Sequence, residues 1–215
     1  MLLCHMQNNP QTRNYYIMRI IAGAFRNRRL QAPKGLSTRP TPEALREALF
    51  NICQHRIEGA RILDLFSGSG ALALEAISRG AASAVCVDRD RNAQRCIQEN
   101  ISAMDVADQV RLIRREVFAT ISQLERNAPP FDIIFADPPY ADMVTVDDHE
   151  VSVAQHLLNT LDISTILAAH GWLFLERAHD QSIDTTELKQ LQLVSSRRFG
   201  SSALEQFTTT TASKQ

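Results

Sequence analysis

Short apolar runs alternate with helical patterns along the middle of the chain, and this alternation constrains the fold more than any other feature. Apolar residues recur at helical spacing between the runs. Strands that are apolar throughout and separated by helices are typical of a parallel sheet covered on both faces. The sequence therefore predicts a doubly wound α/β domain with a mostly parallel sheet. The runs that predict its strands are Ile62–Phe66, Val85–Val87, Val110–Ile113, Phe131–Ala136 and Trp172–Glu176.

The two ends of the chain depart from this alternation. Thr41 and Pro42 are residue types favoured at the N-cap and first position of a helix, and they predict one that reaches about residue 55. Near the C-terminus, Leu191–Arg198 and Ala203–Thr210 flank a Phe-Gly-Ser-Ser turn and predict an antiparallel hairpin. Further predicted elements are a short strand at 18–23 and helices at 117–124 and 151–167.

Composition sets the broad class and hides an uneven charge. The 215 residues are 44% apolar and 22% charged, which excludes a disordered chain, a collagen and a coiled-coil rod. No apolar run approaches the length of a membrane helix, and the four cysteines form no CxxC, so we expect a soluble cytoplasmic protein. From the size of the chain we expect a monomer. The net charge is −1, yet the segment from Arg13 to Arg46 holds eight basic residues and one acid, Glu43. Such a basic segment suits either a solvated face or phosphate contacts.

A glycine-rich turn follows the first strand of the alternating unit. Residues 63–70 read Leu-Asp-Leu-Phe-Ser-Gly-Ser-Gly, and glycines there let a backbone approach a ligand closely. With Ala73 the string also fits the loose dinucleotide pattern G-x-G-x-x-A, which is a weak signal by itself. The alternative is an ordinary tight turn between strand and helix. Asp64 favours a ligand with a cationic amino group over a pyrophosphate.

Two acidic residues end the second strand. Asp88 lies 18 residues after Gly70, where a carboxylate accepts hydrogen bonds from both ribose hydroxyls of a nucleoside ligand. The alternative is a helix N-cap, because Asp-Arg-Asp-Arg opens the next helix. Both roles are compatible, with Asp88 on the ribose and Asp90 as the cap.

The most specific motif is Asp137-Pro138-Pro139-Tyr140, directly after the fourth strand. Two prolines fix the backbone and remove two donors, which leaves carbonyl acceptors. A carboxylate, a carbonyl and an aromatic ring then converge at one strand end. This set suits a planar group with an exocyclic amine, which donates to Asp137 and the Pro138 carbonyl while Tyr140 stacks on the ring. The alternative is a proline-rich turn.

In this order on successive strands, the three motifs resemble those of class I S-adenosylmethionine-dependent amino-methyltransferases. The sequence is similar to one family in particular, the RsmD family, which methylates the exocyclic N2 of a guanine in 16S ribosomal RNA. That family often has Phe where this chain has Tyr140, and Glu where it has Asp88. The similar stretches are 18–23, 39–51, 63–72, 78–81 and 197–204, besides the Asp-Pro-Pro-Tyr motif.

The resemblance implies a Rossmann-like methyltransferase domain at 57–215, preceded by a basic RNA-binding arm and helix at 18–56, with ribosomal RNA as partner, free or in an assembling small subunit. Residues 1–17 lie outside the family pattern, and we expect them to form a disordered extension. The six histidines are dispersed along the sequence, so we expect no metal ion. The residues expected to hold S-adenosylmethionine are Asp64, Phe66, Gly68, Ser69, Gly70, Asp88, Arg89, Glu116, Val117 and Asp137. Those expected to act on the acceptor amine are Asp137, Pro138, Pro139 and Tyr140. Those expected to contact RNA are Arg26, Arg28, Arg29, Lys34, Arg39, Thr41 and Arg46.

Three other functions fit parts of the sequence. An adenine-N6 methyltransferase shares Asp-Pro-Pro-Tyr, but such enzymes usually carry a separate target-recognition segment. An NAD-dependent oxidoreductase fits the glycine pattern and leaves residues 137–140 unexplained. A non-catalytic RNA-binding module on the same fold would be expected to have lost a catalytic motif.

Overall fold

The computed structural model of the protein describes residues 18–33 and 42–210. The predicted extension 1–17 and the predicted N-cap Thr41 lie outside these residues. The helices in the described part are α1 (Glu43–Cys53), α2 (Ala71–Ser78), α3 (Arg91–Met104), α4 (Val117–Asn127) and α5 (Val153–Asp162). The strands there are β1 (Met18–Arg19), β2 (Arg29–Leu30), β3 (Arg61–Leu65), β4 (Ser83–Asp88), β5 (Val110–Arg114), β6 (Phe131–Ala136), β7 (Met143–Val146), β8 (His149–Ser152), β9 (Leu167–Ala178), β10 (Leu191–Phe199) and β11 (Ser202–Thr209).

Seven strands form the central sheet in the order β10-β11-β9-β6-β3-β4-β5. The five strands from β9 to β5 are parallel to one another, and β11 and β10 close the edge as an antiparallel hairpin. The prediction of a doubly wound, mostly parallel sheet with a C-terminal hairpin is therefore confirmed. The chain builds outward from β3 to β5 and then returns to β6 on the other side of β3. Ligands of open α/β sheets bind at such a switch point, outside the carboxyl ends of the strands.

Two hydrophobic clusters cover the two faces of the sheet. One joins α1, α2 and α3 to alternate sheet residues that include Ile62, Phe135 and Phe174. The other joins α4 and α5 to the intervening residues, among them Leu63 and Leu175. Successive side chains of a strand point to opposite faces, so each buried strand serves both clusters and reads as a continuous apolar run. In the part of the chain that is described, no helix is long and apolar enough to cross a membrane.

The segment between β6 and β9 differs from the prediction. The acidic segment 137–150, for which no strand was predicted, contains the β7–β8 hairpin, whose two turn residues Asp147 and Asp148 have φ of 48° and 64°. Aspartate tolerates this left-handed conformation, but Asp-Asp is a weak hairpin signal beside Asn-Gly. The helix predicted over 151–167 is also wrong in its bounds. It begins after Ser152, whose hydroxyl accepts from the Gln155 amide, and it ends at Asp162.

The arm at 18–33 packs against the domain. Its predicted strand is shorter than expected, because only Met18 and Arg19 pair with β2. Ile20 and Leu30 are buried in the same hydrophobic cluster as α1 and α2. The backbone amides of Ile21 and Ala22 donate to the buried Glu75 carboxylate at 2.7 and 3.0 Å. The arm is thus anchored to α2 by apolar contacts and by charge-assisted hydrogen bonds.

Candidate active site

Four neighbouring strands each carry a carboxylate at or just past their carboxyl end. Asp88 ends β4, Asp64 lies near the end of β3, Asp137 follows β6, and Glu176 lies near the end of β9. Strand pairing aligns Asp64 with Cys86, Phe135 and, one strand further, Phe174. Because side chains alternate along a strand, the four carboxylates belong to one face of the sheet. They lie at the switch point, on the face of the sheet that is covered by α1 and α2.

Hydrogen bonds of Ser67 attach the glycine loop to the two strands beside it. The Ser67 hydroxyl donates to the Asp64 carbonyl at 2.5 Å and accepts from the Val87 amide at 2.9 Å, which ties the loop to β3 and β4. Gly68 and Gly70 have φ of 55° and 75°, a region that favours glycine. A Cβ on Gly68 would meet nothing within 4 Å. The loop therefore presents open backbone beside Asp88, as the approach of a ligand requires.

Asp88 and Asp90 divide the two roles expected of them. Asp90 caps α3, because its side chain accepts from the amides of Asn92 and Ala93. The Asp88 carboxylate accepts from the amides of Gly68 and Asp90 at 2.9 and 2.8 Å. Burial raises the pKa of Asp88 against these hydrogen bonds. The capping role of Asp90 is confirmed, and Asp88 is fixed at the mouth of the glycine loop, where its ribose role stays a prediction.

Asp64 is the most deeply buried of the four carboxylates. It is 2% exposed and accepts from the Ala73 amide at 3.2 Å. Burial raises the pKa of its carboxyl to about 7, and the nearby Asp88 charge adds to this effect. A buried carboxylate in this state gains strongly from a fixed cation. The site therefore suits a ligand with an ammonium group beside the glycine loop.

The Asp-Pro-Pro-Tyr segment begins next to the glycine loop. The Asp137 amide donates to the Leu65 carbonyl at 3.4 Å, so the segment leaves the sheet beside the end of β3. Pro138 is buried and Pro139 is exposed. The Tyr140 hydroxyl donates to Glu176 Oε1 at 2.5 Å and lies 2.9 Å from the Ser202 hydroxyl. The Asp-Pro-Pro-Tyr segment and the glycine loop thus begin beside each other at one edge of the sheet.

Three other residues expected at the cofactor lie further along the same edge. Arg89 is exposed, with Nη2 3.8 Å from Asp142 Oδ2. Glu116 caps α4, where its side chain accepts from the Ala119 amide at 3.0 Å. The Val117 side chain is buried in the cluster under α4 and α5. The structure gives Glu116 and Val117 structural roles, and their predicted contacts with the cofactor stay predictions.

Three of the arginines that were predicted to contact RNA lie exposed on the arm. Arg26, Arg28 and Arg29 are exposed. Arg28 lies over the Phe25 ring at 5.2 Å and donates to the Ala103 carbonyl at 3.2 Å. These contacts hold the Arg28 guanidinium against the protein, while the side chains of Arg26 and Arg29 face solvent. Lys34, Arg39 and Thr41 lie outside the described residues.

The predicted RNA contact of Arg46 is wrong. Its side chain is 2% exposed and points into the domain, where Nη1 donates to the Arg19 carbonyl at 3.1 Å. Its position on the inner face of α1, between Leu45 and Leu49, accounts for the burial. Desolvation lowers the pKa of Arg46, and the field of Glu75 opposes that effect. Arg46 is a buried structural cation.

Sequence reasoning missed four polar residues around the site. Glu75 anchors the arm, and Glu176 and Ser202 hold Tyr140. The fourth is Asn100, whose amide donates to the carbonyls of Gln31 in the arm and Ser69 in the glycine loop at 3.0 and 2.9 Å. The sequence offers one indication of the two carboxylates, which is that each lies among apolar residues. Glu75 interrupts an apolar helix, and Glu176 ends an apolar strand.

Strand order, strand direction and the position of the site define a class I methyltransferase-like fold. A family model described as Conserved hypothetical protein 95 matches residues 18–208. YlbH of Bacillus subtilis strain 168 is 32% identical over 170 residues, 79% of this chain and 86% of that protein. Ribosomal RNA small subunit methyltransferase D of Escherichia coli strain K12 is 31% identical over 168 residues, 78% of each chain. The solved structure of yhhF from Escherichia coli has a TM-score of 0.73 at 27% identity and covers 90% of this chain and 98% of its own. The chain belongs to the family of this model, the RsmD family.

Proposed function

We propose that the chain transfers a methyl group from S-adenosylmethionine to the exocyclic N2 of a guanine in small-subunit ribosomal RNA. The observation that carries the proposal is that Asp137 leaves the sheet beside the end of β3, where the glycine loop begins, at the switch point. We infer that the methyl donor binds at the loop and that the planar amine binds beside it at the Asp-Pro-Pro-Tyr segment. The chain is a ribosomal RNA methyltransferase homologue, and S-adenosylmethionine is its cofactor.

The residues of the glycine loop fit this cofactor. The open space at Gly68 accommodates the approach of a ligand to the backbone, and Asp88 beside it offers carboxylate oxygens to ribose hydroxyls. Asp64 supplies a buried anion for the ammonium of the amino-acid group. When bound, the cofactor supplies a methyl group that is already activated by the sulfonium charge, so the protein contributes mainly position and electrostatics.

Asp137 and Pro138 act on the acceptor amine. Guanine N2 is a poor nucleophile because its lone pair is delocalised into the ring. Hydrogen bonds from the amine to the Asp137 carboxylate and the Pro138 carbonyl favour rehybridisation and orient the lone pair. A carboxylate is a weak base, so we assign Asp137 orientation and electrostatic stabilisation ahead of proton abstraction. The Tyr140 ring supplies the stacking surface for a base that leaves its own stack.

The arm supplies affinity for RNA. Arg26, Arg28 and Arg29 lie on an exposed segment that is fixed to α2 at one end and to Asn100 at the other. Arginines in such a segment contact phosphates and position the RNA without reading its sequence. In this arrangement residues 18–56 hold the RNA and residues 57–215 perform the transfer, in a cytoplasmic monomer that acts on RNA free or within an assembling subunit.

Methyl transfer to defined acceptors tests the proposal. The purified protein is incubated with methyl-labelled S-adenosylmethionine and, in separate reactions, with unmodified 16S ribosomal RNA, small ribosomal subunits, transfer RNA or duplex DNA. We expect label in the small-subunit RNA and its loss in Asp137→Ala, with cofactor affinity within a few-fold of wild type. Label in DNA alone, or a rate for Asp137→Ala above about a tenth of wild type, which is roughly 1.4 kcal/mol, would contradict the proposal.

A further inference from the structure

The hydroxyl of Tyr140 belongs to a buried cluster that stacking of the ring does not require. It donates to Glu176 Oε1 at 2.5 Å and lies 2.9 Å from the Ser202 hydroxyl. Glu176 is 4% exposed and Ser202 is also buried. A stacking ring needs only its π-face, so the hydroxyl and its two partners call for a separate explanation.

The three residues come from three adjacent elements of the sheet. Tyr140 follows β6, Glu176 lies on β9, and Ser202 begins β11, at separations of 36 and 62 residues from Tyr140. Glu176 lies one position past the paired residues Ala136 and Leu175, level with Asp137. The segment that follows β6 is therefore attached at its far end to two other strands. Hydrogen bonds at the phenol hydroxyl fix the far end of the ring and therefore the direction of its long axis, whereas a ring without them is free to swing about χ1.

Glu176 differs from the neighbouring buried carboxylate in its partners. Glu205 on β11 pairs with Arg177, and strand alternation places both on the opposite face of the sheet. Among the described residues, Glu176 forms no ion pair within 4.0 Å. A buried carboxylate bonded to hydroxyls costs desolvation that no cation offsets. The burial of Glu176 is therefore better explained by its hydrogen bond to Tyr140 than by a contribution to the stability of the fold.

We propose that Glu176, supported by Ser202, is a positioning residue for the acceptor base, which it serves by fixing the position of the Tyr140 ring through the phenol hydroxyl. This inference rests on the proposed function, because it assigns the ring to the acceptor. The fixed ring orients the base so that its amine meets Asp137 and the Pro138 carbonyl. Small losses of orientation cost rate because the transfer depends on a near-attack geometry.

Steady-state kinetics of single and double variants test the inference. In Glu176→Leu we expect kcat to fall about tenfold or more, with KM for S-adenosylmethionine within twofold of wild type. Tyr140→Phe keeps the ring and loses the hydroxyl, so its kcat falls similarly. The double variant is no slower than the slower single variant by more than about twofold, because Glu176 acts through the hydroxyl. Glu176→Gln keeps an acceptor oxygen and restores kcat to within about threefold of wild type.

Glu205→Gln is the matched control, since it alters a buried carboxylate of the same strand pair that does not touch Tyr140. We expect it to lower the melting temperature and to leave kcat per folded molecule unchanged. If Glu176→Leu does not fold, Ser202→Ala and Tyr140→Phe carry the test through the same loss of kcat. Additive effects in the double variant, or an unchanged kcat in Glu176→Leu beside an active wild type, would overturn the inference. An inactive wild type would instead refute the proposed function, and the inference with it.

Discussion

The carboxylate of Glu75 is expected to hold the arm on the domain. It is 0% exposed, and Oε2 accepts from the Ile21 amide while Oε1 accepts from the Ala22 amide and from Arg79 Nε at 2.7 Å. It also provides the largest electrostatic compensation for Arg46, whose buried Nε has no hydrogen-bond partner among the described residues. The change Glu75→Gln keeps one acceptor oxygen and removes the charge.

The magnitude follows from the hydrogen bonds that this change removes. The amide nitrogen of Gln faces one of the two backbone donors, and an unsatisfied buried donor costs about 1–3 kcal/mol. Removing one partner of a buried charge pair costs about 3–5 kcal/mol, and the partly exposed Arg79 reduces that figure. We therefore expect a loss of about 3 kcal/mol in the free energy of unfolding, or roughly 150-fold in the folding equilibrium constant.

Urea unfolding followed by circular dichroism measures this loss, and limited trypsin digestion measures release of the arm after Arg26, Arg28 and Arg29. Glu47→Gln, an exposed change on α1, is the control and should stay within about 0.5 kcal/mol of wild type. Trypsin should cut the arm of Glu75→Gln faster than that of the control. Unfolding free energies that agree within about 0.5 kcal/mol, with equal cleavage rates, would refute the anchoring role of Glu75.

Three further predictions concern the cofactor site and the arm. Asp88→Ala should raise the dissociation constant for S-adenosylmethionine about 10- to 150-fold, because it removes one charge-assisted hydrogen bond. Gly68→Val should also weaken binding, because its side chain blocks the approach of the ligand to the backbone. If calorimetry finds an unchanged affinity in both variants, the loop does not bind the cofactor. The pKa of Asp64 is raised to about 7, so the favourable contribution of its protonated form to stability is lost as pH rises through 7. Asp64→Asn should therefore raise the melting temperature of the cofactor-free protein more at pH 8 than at pH 5, while it weakens cofactor binding. A melting temperature at pH 8 that is lower for Asp64→Asn than for wild type would contradict this sign. Replacement of the exposed arm arginines by Ala should reduce the salt slope of log affinity for RNA by roughly 0.7–0.9 for each phosphate that the arm no longer neutralises, and should leave cofactor affinity unchanged. The arginines are Arg26, Arg28 and Arg29, and RNA titrations at several salt concentrations measure the slope. An unchanged slope would show that the arm is only a solvated surface.

Periodicity predicted the fold well because the central strands β3, β4 and β6 are largely buried on both faces. Apolar runs such as Phe131–Ala136 have few alternative explanations, and the motifs at their ends were therefore placed on the correct edge of the sheet. The capping role of Asp90 followed from its position before an amphipathic helix. These features depend on neighbours within a few residues.

Features that depend on distant residues could not be predicted in this way. Arg46 lies in a basic segment that suggested RNA, but its place on the inner face of α1 beside Glu75 buries it. The partners of Tyr140 come from strands 36 and 62 residues away, and no local pattern links them. The β7–β8 hairpin turns on Asp147 and Asp148, whose left-handed conformation the sequence signals weakly.

The identity of the methylated nucleoside tests the central claim most directly. Small-subunit RNA that lacks the modification is incubated with the protein and S-adenosylmethionine, digested to nucleosides and separated by liquid chromatography with mass spectrometry against methylguanosine and methyladenosine standards. If Asp137, Pro138 and Tyr140 receive guanine, N2-methylguanosine appears with wild-type protein and is absent with Asp137→Ala. N6-methyladenosine in place of N2-methylguanosine, or N2-methylguanosine formed equally by Asp137→Ala, would contradict the account.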